Sequence, residues 1–124
     1  MNLDRRPTIL IIEDEDIVRD TMVGFLKEFK MDIVAAADGL MGVQKASRQK
    51  FDLIITDVNL PKLRGDRVVK EIRKEEINAE TPIIMLSAFL SMEIINNVKD
   101  MISKALVKPI EMDQLLKEVE TLIK

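Results

Sequence analysis

The sequence predicts a doubly wound α/β domain, with one parallel five-stranded sheet and helices on both of its faces. Two observations carry that expectation. Short apolar runs rich in β-branched residues recur along the chain, as expected of strands covered on both sides. Between and after them lie segments with apolar residues every three or four positions, the period of a helix packed on one face.

The elements follow in order. Ile9-Leu10-Ile11-Ile12 is the first strand, and Val18, Met22, Phe25, Leu26 and Phe29 outline the first helix. Ile33 to Ala36 is a second strand, punctuated by Asp38-Gly39, and Leu40, Val43 and Ala46 mark a weaker second helix. Leu53-Ile54-Ile55 is a third strand ending at Thr56-Asp57; a loop with Pro61 and Gly65 leads to a helix carrying Val68, Val69 and Ile72. Thr81-Pro82 precedes a fourth strand, Ile83 to Leu86, and Ile94, Ile95, Val98 and Met101 give a fourth helix. Ala105-Leu106-Val107 is the fifth strand. Met112, Leu115, Leu116, Val119, Leu122 and Ile123 form the fifth helix. All five strands are expected to be buried. Right-handed crossovers leave few topologies for such an alternation, and a single-domain flavodoxin-like (βα)5 order is expected.

Composition narrows the chemistry. The 124 residues include 19 basic and 22 acidic side chains, a formal charge of −3, and 47% are hydrophobic. This is the balance of one globular domain of ordinary size. There is no cysteine and no histidine, which excludes disulfides, thiol and imidazole catalysis, and a Ser-His-Asp triad. A pI near 5.1 argues against binding nucleic acid through its phosphates. No stretch approaches the roughly 18 apolar residues of a membrane span, and no signal-peptide core follows the short polar start, so a cytoplasmic location is expected. The chemistry must come from carboxylates, hydroxyls and lysines.

Those groups stand where the fold would gather them. Glu13, Asp14, Glu15 and Asp16 follow the first strand, Asp57 ends the third, Ser87 the fourth, and Lys108-Pro109 the fifth. In parallel α/β sheets, ligands sit at the carboxyl ends of the strands. Each residue alone has a plain structural reading: acids favoured at a helix N-terminus, a turn aspartate, a capping serine, a solvated lysine. Together, each after a different strand, they form a set. Glu13, Asp14 and Asp57 crowded at one rim would resist joint ionisation unless a cation joined them, and an all-oxygen set suits Mg²⁺. A lysine and a hydroxyl beside such a centre are the parts that phosphoryl transfer uses.

Over nearly its whole length the chain resembles the receiver domain of two-component response regulators. The matching pieces are Ile9 to Glu15, Phe51 to Asp57, Leu60-Pro61 with Gly65 eight residues after Asp57, Pro82 to Ala88, and Lys108-Pro109. The resemblance implies that residues 1–124 form one phosphoacceptor domain. It further implies that Asp57 accepts a phosphoryl group as an acyl phosphate, and that Asp14, Asp57 and the Asn59 backbone carbonyl hold Mg²⁺, with Glu13 acting through a bound water. Lys108 would pair with a phosphoryl oxygen, Ser87 would bond another, and the Lys108-Pro109 peptide would be cis. With no histidine in the chain, the phosphohistidine donor must be another protein: a sensor histidine kinase or a histidine phosphotransfer protein. Output would be altered affinity for a downstream protein partner. The domain would catalyse only its own phosphorylation and dephosphorylation, with no role for nucleic acid or membrane.

The chain departs from the family at some positions. Ala105 stands where a Tyr or Phe is usual three residues before the lysine, and the stretch 100–104 lacks the common Gly-Ala-Asp-Asp. Glu118 and Gln114 replace an Arg and a Glu of the dimer signature seen in receivers attached to winged-helix modules, which argues against that dimer. An end at Lys124 leaves no room for a DNA-binding module, so a stand-alone receiver or one cut from a longer protein is expected. Asn59 and Phe89 flank the expected phosphoryl site, and apolar Phe89 is expected to lengthen the life of the acyl phosphate. Two other readings stay open: a receiver fold that docks partners without phosphorylation, which Ala105 keeps alive, and a small haloacid-dehalogenase-type phosphatase. The latter needs a second acid two residues after its nucleophile, where this chain has Asn59. A flavodoxin is weaker still, because an acidic first loop would repel a flavin phosphate.

Overall fold

The computed structural model describes residues 5–88 and 92–123, with the side chain of Met92 outside that description. Five strands alternate with five helices: β1 Thr8–Ile12, α1 Asp16–Lys27, β2 Asp32–Ala36, α2 Gly39–Ala46, β3 Leu53–Asp57, α3 Gly65–Lys74, β4 Ile83–Ser87, α4 Met92–Val98, β5 Lys104–Val107 and α5 Met112–Leu122. The sheet is parallel throughout, in the order β2-β1-β3-β4-β5. This is the expected doubly wound arrangement.

Strand side chains alternate in direction, so one apolar run feeds two cores. Leu10, Ile12, Ile54 and Met85 pack with Val68, Val69 and Ile72 of α3 and Val98 of α4. Ile9, Ile11, Leu53, Ile55, Ile84 and Leu86 turn the other way, against Met22 and Leu26 of α1 and Leu115 and Val119 of α5. All of these are at most 1% exposed. Each such side chain contributes about 1.5–3 kcal/mol by leaving water.

The expectation of five buried strands needs correction at the edges. β2 and β5 each pair on one side only, and Asp32, Lys104 and Val107 are exposed. Edge position, which periodicity does not reveal, is the cause. A short 3-10 turn at Glu76–Asn78 was also unforeseen. Its Asn78 is wholly buried and donates to the carbonyls of Ala46 and Gln49 (2.6 and 2.9 Å) while accepting the Phe51 amide at 2.9 Å.

The loop between β3 and α3 is held on both flanks. Gly65 donates its amide to the Val58 carbonyl at 2.8 Å, and a Cβ there would come 2.2 Å from the Asp57 carbonyl oxygen. On the other side Gly39 donates to the Pro61 carbonyl at 3.2 Å, and a Cβ on Gly39 would stand 1.9 Å from the Leu63 carbonyl oxygen. Asp38 caps α2 through the Met41 amide at 2.7 Å, and Lys62, with a left-handed φ of 69°, approaches Asp38 at 3.5 Å.

Candidate functional site

Parallel strands β1, β3, β4 and β5 end at the same edge, and their polar termini meet there. Glu13 follows β1 immediately and is fully buried, its amide fixed to the Ala36 carbonyl at 3.0 Å. Its carboxylate accepts the Lys108 ammonium at 2.6 Å and the Glu15 amide at 3.1 Å. Asp57, the last residue of β3 and 6% exposed, accepts the same ammonium at 3.0 Å and the Val58 amide at 2.9 Å. Asp14 is exposed at the rim. One carboxylate oxygen from each of Glu13, Asp14 and Asp57 lies within 4.8 Å of the others.

Lys108 reaches this cluster from just beyond β5. Its own amide donates to the Ser87 carbonyl at 2.6 Å, which ties the ends of β4 and β5 together, and the peptide before Pro109 is cis. The Lys108 side chain is 15% exposed. Ser87 is buried at the end of β4, and Asn59 is exposed on the loop after β3. Phe89, expected to shield the phosphoryl group, lies outside the described residues.

The electrostatics follow from burial. Loss of hydration pushes the Glu13 carboxyl up from its usual range, against the Lys108 and Glu15 hydrogen bonds that favour its charge. Burial works against the Lys108 charge as well, but hydrogen bonds to Glu13 and Asp57 and the charge of both carboxylates outweigh it and raise its pKa. The ammonium therefore stays charged and partly offsets the crowded acids. Glu13, expected to act through a bound water, also bonds Lys108 directly.

The donor set fits a hard divalent ion. The three clustered side chains are all carboxylates, their oxygens gathered within 4.8 Å, and Mg²⁺ is bound by oxygen donors of this kind. Two of them are already backed by backbone N–H donors, from Glu15 and Val58.

Sequence reasoning missed some residues around this centre. Arg19 of α1 donates to the Glu13 carbonyl at 3.0 Å and to the Asp16 carboxylate at 2.6 Å. Asp66, buried at the start of α3, takes two hydrogen bonds from Arg64. Nothing in the apolar periodicity marks either. Ala105 is half-buried in β5, and Glu118 stands 4.0 Å from Lys104.

A family model for the response regulator receiver domain matches residues 9–120. The chain belongs to the response regulator receiver family. Among relatives of this receiver is the regulatory protein VanRB of Enterococcus faecalis, 32% identical over 94% of the chain and 52% of that protein. The chain spans about half, or less, of the length of the curated relatives it matches. Among solved structures, the chemotaxis response regulator CheY4 of Vibrio cholerae superimposes with a TM-score of 0.88 at 31% identity, covering 95% of this chain and 99% of that one. The receiver domain of the sensor histidine kinase PA1611 of Pseudomonas aeruginosa gives 0.87 at 28% identity, covering 96% and 98%. That structure carries a magnesium ion coordinated in its active-site cleft. The receiver is thus a two-component signalling domain with a CheY-like fold and an acidic pocket suited to phosphoryl transfer. Among its described residues, no helix is long and apolar enough to cross a membrane.

Proposed function

We propose that residues 1–124 form one phosphoacceptor domain in which Asp57 takes a phosphoryl group from the phosphohistidine of a sensor histidine kinase or a histidine phosphotransfer protein. An Asp57 carboxylate oxygen attacks phosphorus, the P–N bond to the donor imidazole breaks, and an acyl phosphate forms on Asp57. The observation that carries this reading is the Lys108 ammonium bonded at once to Glu13 and Asp57, with Asp14 beside them.

Asp14, Asp57 and the Asn59 carbonyl would hold Mg²⁺, and Glu13 would support it through water. Bound there, Mg²⁺ offsets charge on the carboxylates and the phosphoryl oxygens. The chain's own residues do the rest. Val58 donates its amide to Asp57 and orients the nucleophile. Lys108 is positioned by Glu13 to follow a phosphoryl oxygen, and the Ser87 hydroxyl donates to another. The domain catalyses only these steps and its own hydrolysis, and output is changed affinity for a downstream protein in the cytoplasm. A groove of about 570 Å³ beside Lys108, lined by Ile17, Val18, Pro109, Ile110 and Met112, supports docking of the donor on this face; Ile17 is 82% exposed there.

Incubation with a small acyl-phosphate donor, with and without Mg²⁺, followed by intact-mass measurement, tests the proposal. Wild type should gain one phosphoryl group only with Mg²⁺, and Asp57→Asn none. An adduct that survives in Asp57→Asn identifies a different nucleophile, and no adduct on wild type favours a docking domain that works without phosphorylation.

A further inference from the structure

We infer that Arg19 is a positioning residue for the acidic loop between β1 and α1, and that it sets where Asp14 presents its carboxylate. The inference rests on the reading of Glu13, Asp14 and Asp57 as the metal-binding set. Three observations lead to it.

Helix α1 begins without the usual side-chain cap: its N-cap residue, Glu15, makes no side-chain hydrogen bond to the first turn. Two other links secure the loop. The Glu15 amide donates to the Glu13 carboxylate at 3.1 Å, and the guanidinium of Arg19 spans the loop from inside α1. One of its nitrogens reaches the Glu13 carbonyl at 3.0 Å and the other the Asp16 carboxylate at 2.6 Å. Asp14 sits between these two anchored residues. Among the described residues no donor bonds its carboxylate, so the backbone on either side decides where it points. The Arg19 side chain is only 17% exposed, against 81% for Asp16, so the fork is packed rather than free. A planar guanidinium holds two acceptors in fixed relation, which an ammonium does not.

A second role would predict the opposite result. If Arg19 mattered only as a positive charge beside four acids, removing it would raise the negative potential and tighten cation binding. If it positions Asp14, removing it loosens the ligand set and weakens binding. Loss of a group that orients a metal ligand typically costs 10–100-fold in affinity.

Mg²⁺ affinity of the unphosphorylated protein, measured by titration calorimetry, separates these roles for wild type, Arg19→Ala and Arg19→Lys. Circular dichroism melts show that each variant is folded at the titration temperature. The expected result is about tenfold weaker Mg²⁺ binding in Arg19→Ala, and a loss that persists in Arg19→Lys although the charge is kept. Amide NMR shifts at Asp14 and Glu15 should move in both variants before any Mg²⁺ is added. Equal or tighter binding in Arg19→Ala, or wild-type binding in Arg19→Lys, overturns the inference while leaving the metal reading intact. Wild type that binds no Mg²⁺ overturns both. Should Arg19→Ala melt below the titration temperature, the Arg19→Lys comparison decides alone.

Discussion

The Lys108 ammonium stands 2.6 Å from a carboxylate of Glu13 that no solvent reaches. A buried acid so placed depends on its cation, and 95 residues separate the two in sequence. Removing the cation leaves an uncompensated charge in a poorly hydrated place, which is far costlier than losing a surface ion pair. Lys108→Ala should therefore lower stability by about 3 kcal/mol, the lower end for buried pairs because the ammonium keeps some contact with water. The double variant Glu13→Gln/Lys108→Ala should recover part of that loss, since Asp57 still lacks its ammonium. Urea unfolding of the four combinations gives the coupling directly; additive losses would show that the pair is not coupled.

Gly65 and Gly24 should respond in opposite ways to alanine. At Gly65 the added methyl meets the Asp57 carbonyl oxygen at 2.2 Å and the Val58 Cα at 2.8 Å, both backbone atoms that must shift. Gly65→Ala is expected to cost about 1–3 kcal/mol and to slow phosphorylation, since it pushes on the acceptor's own peptide. At Gly24 nothing lies within 4 Å of the new carbon, and the site is inside α1. Gly24→Ala should add about 0.5–1 kcal/mol of stability from helix propensity, with phosphorylation unchanged. Thermal melts and the mass assay check both.

Asn78→Ala should destabilise by about 3 kcal/mol while leaving the phosphoacceptor site active. Its carboxamide joins Phe51, Ala46, Gln49 and Thr81, and truncation strands several buried polar groups. A lower denaturation midpoint with an unchanged initial rate of adduct formation is the expected pair of results.

Acid sensitivity should be traceable to Asp66. The hydrogen bonds from Arg64 hold its carboxyl below the usual carboxylate range against the cost of burial, and the charge of Arg64 adds to them. A lowered folded-state pKa means stability that is present above the unfolded value, about 3.9, and lost as pH falls through the folded one. Arg64→Ala removes the cause, so the variant should be less stable than wild type near neutral pH and should lose less further stability as the pH falls through the carboxylate range. Urea midpoints between pH 2 and 7 test this, and identical acid limbs in the two proteins would refute it.

The strands and the reactive set were legible in sequence because both depend on local order. A run such as Leu53-Ile54-Ile55 announces its own burial, and Asp57 or Lys108 directly after such a run can only emerge at the sheet's carboxyl edge. What stayed hidden depends on how elements come to face each other. Arg19 reads as one more polar residue on a helix; only the return of α1 across β1 turns it toward Glu13. Asn78 lies in a connection with no apolar rhythm, and its distant partners, Ala46, Gln49 and Phe51, come from the end of α2 and the turn into β3. The exposure of β2 and β5 follows from strand order, which the runs themselves do not record.

The pinning of the β3–α3 loop also limits how a change at Asp57 can spread. Pro61 and Leu63 are seated against Gly39, and Gly65 has no room to move inward past Asp57 and Val58. The acyl phosphate proposed on Asp57 would meet this pinned loop on the α2 side. A displacement started by that group would then run the other way, toward the carboxyl ends of β4 and β5, which the Lys108 amide joins at Ser87.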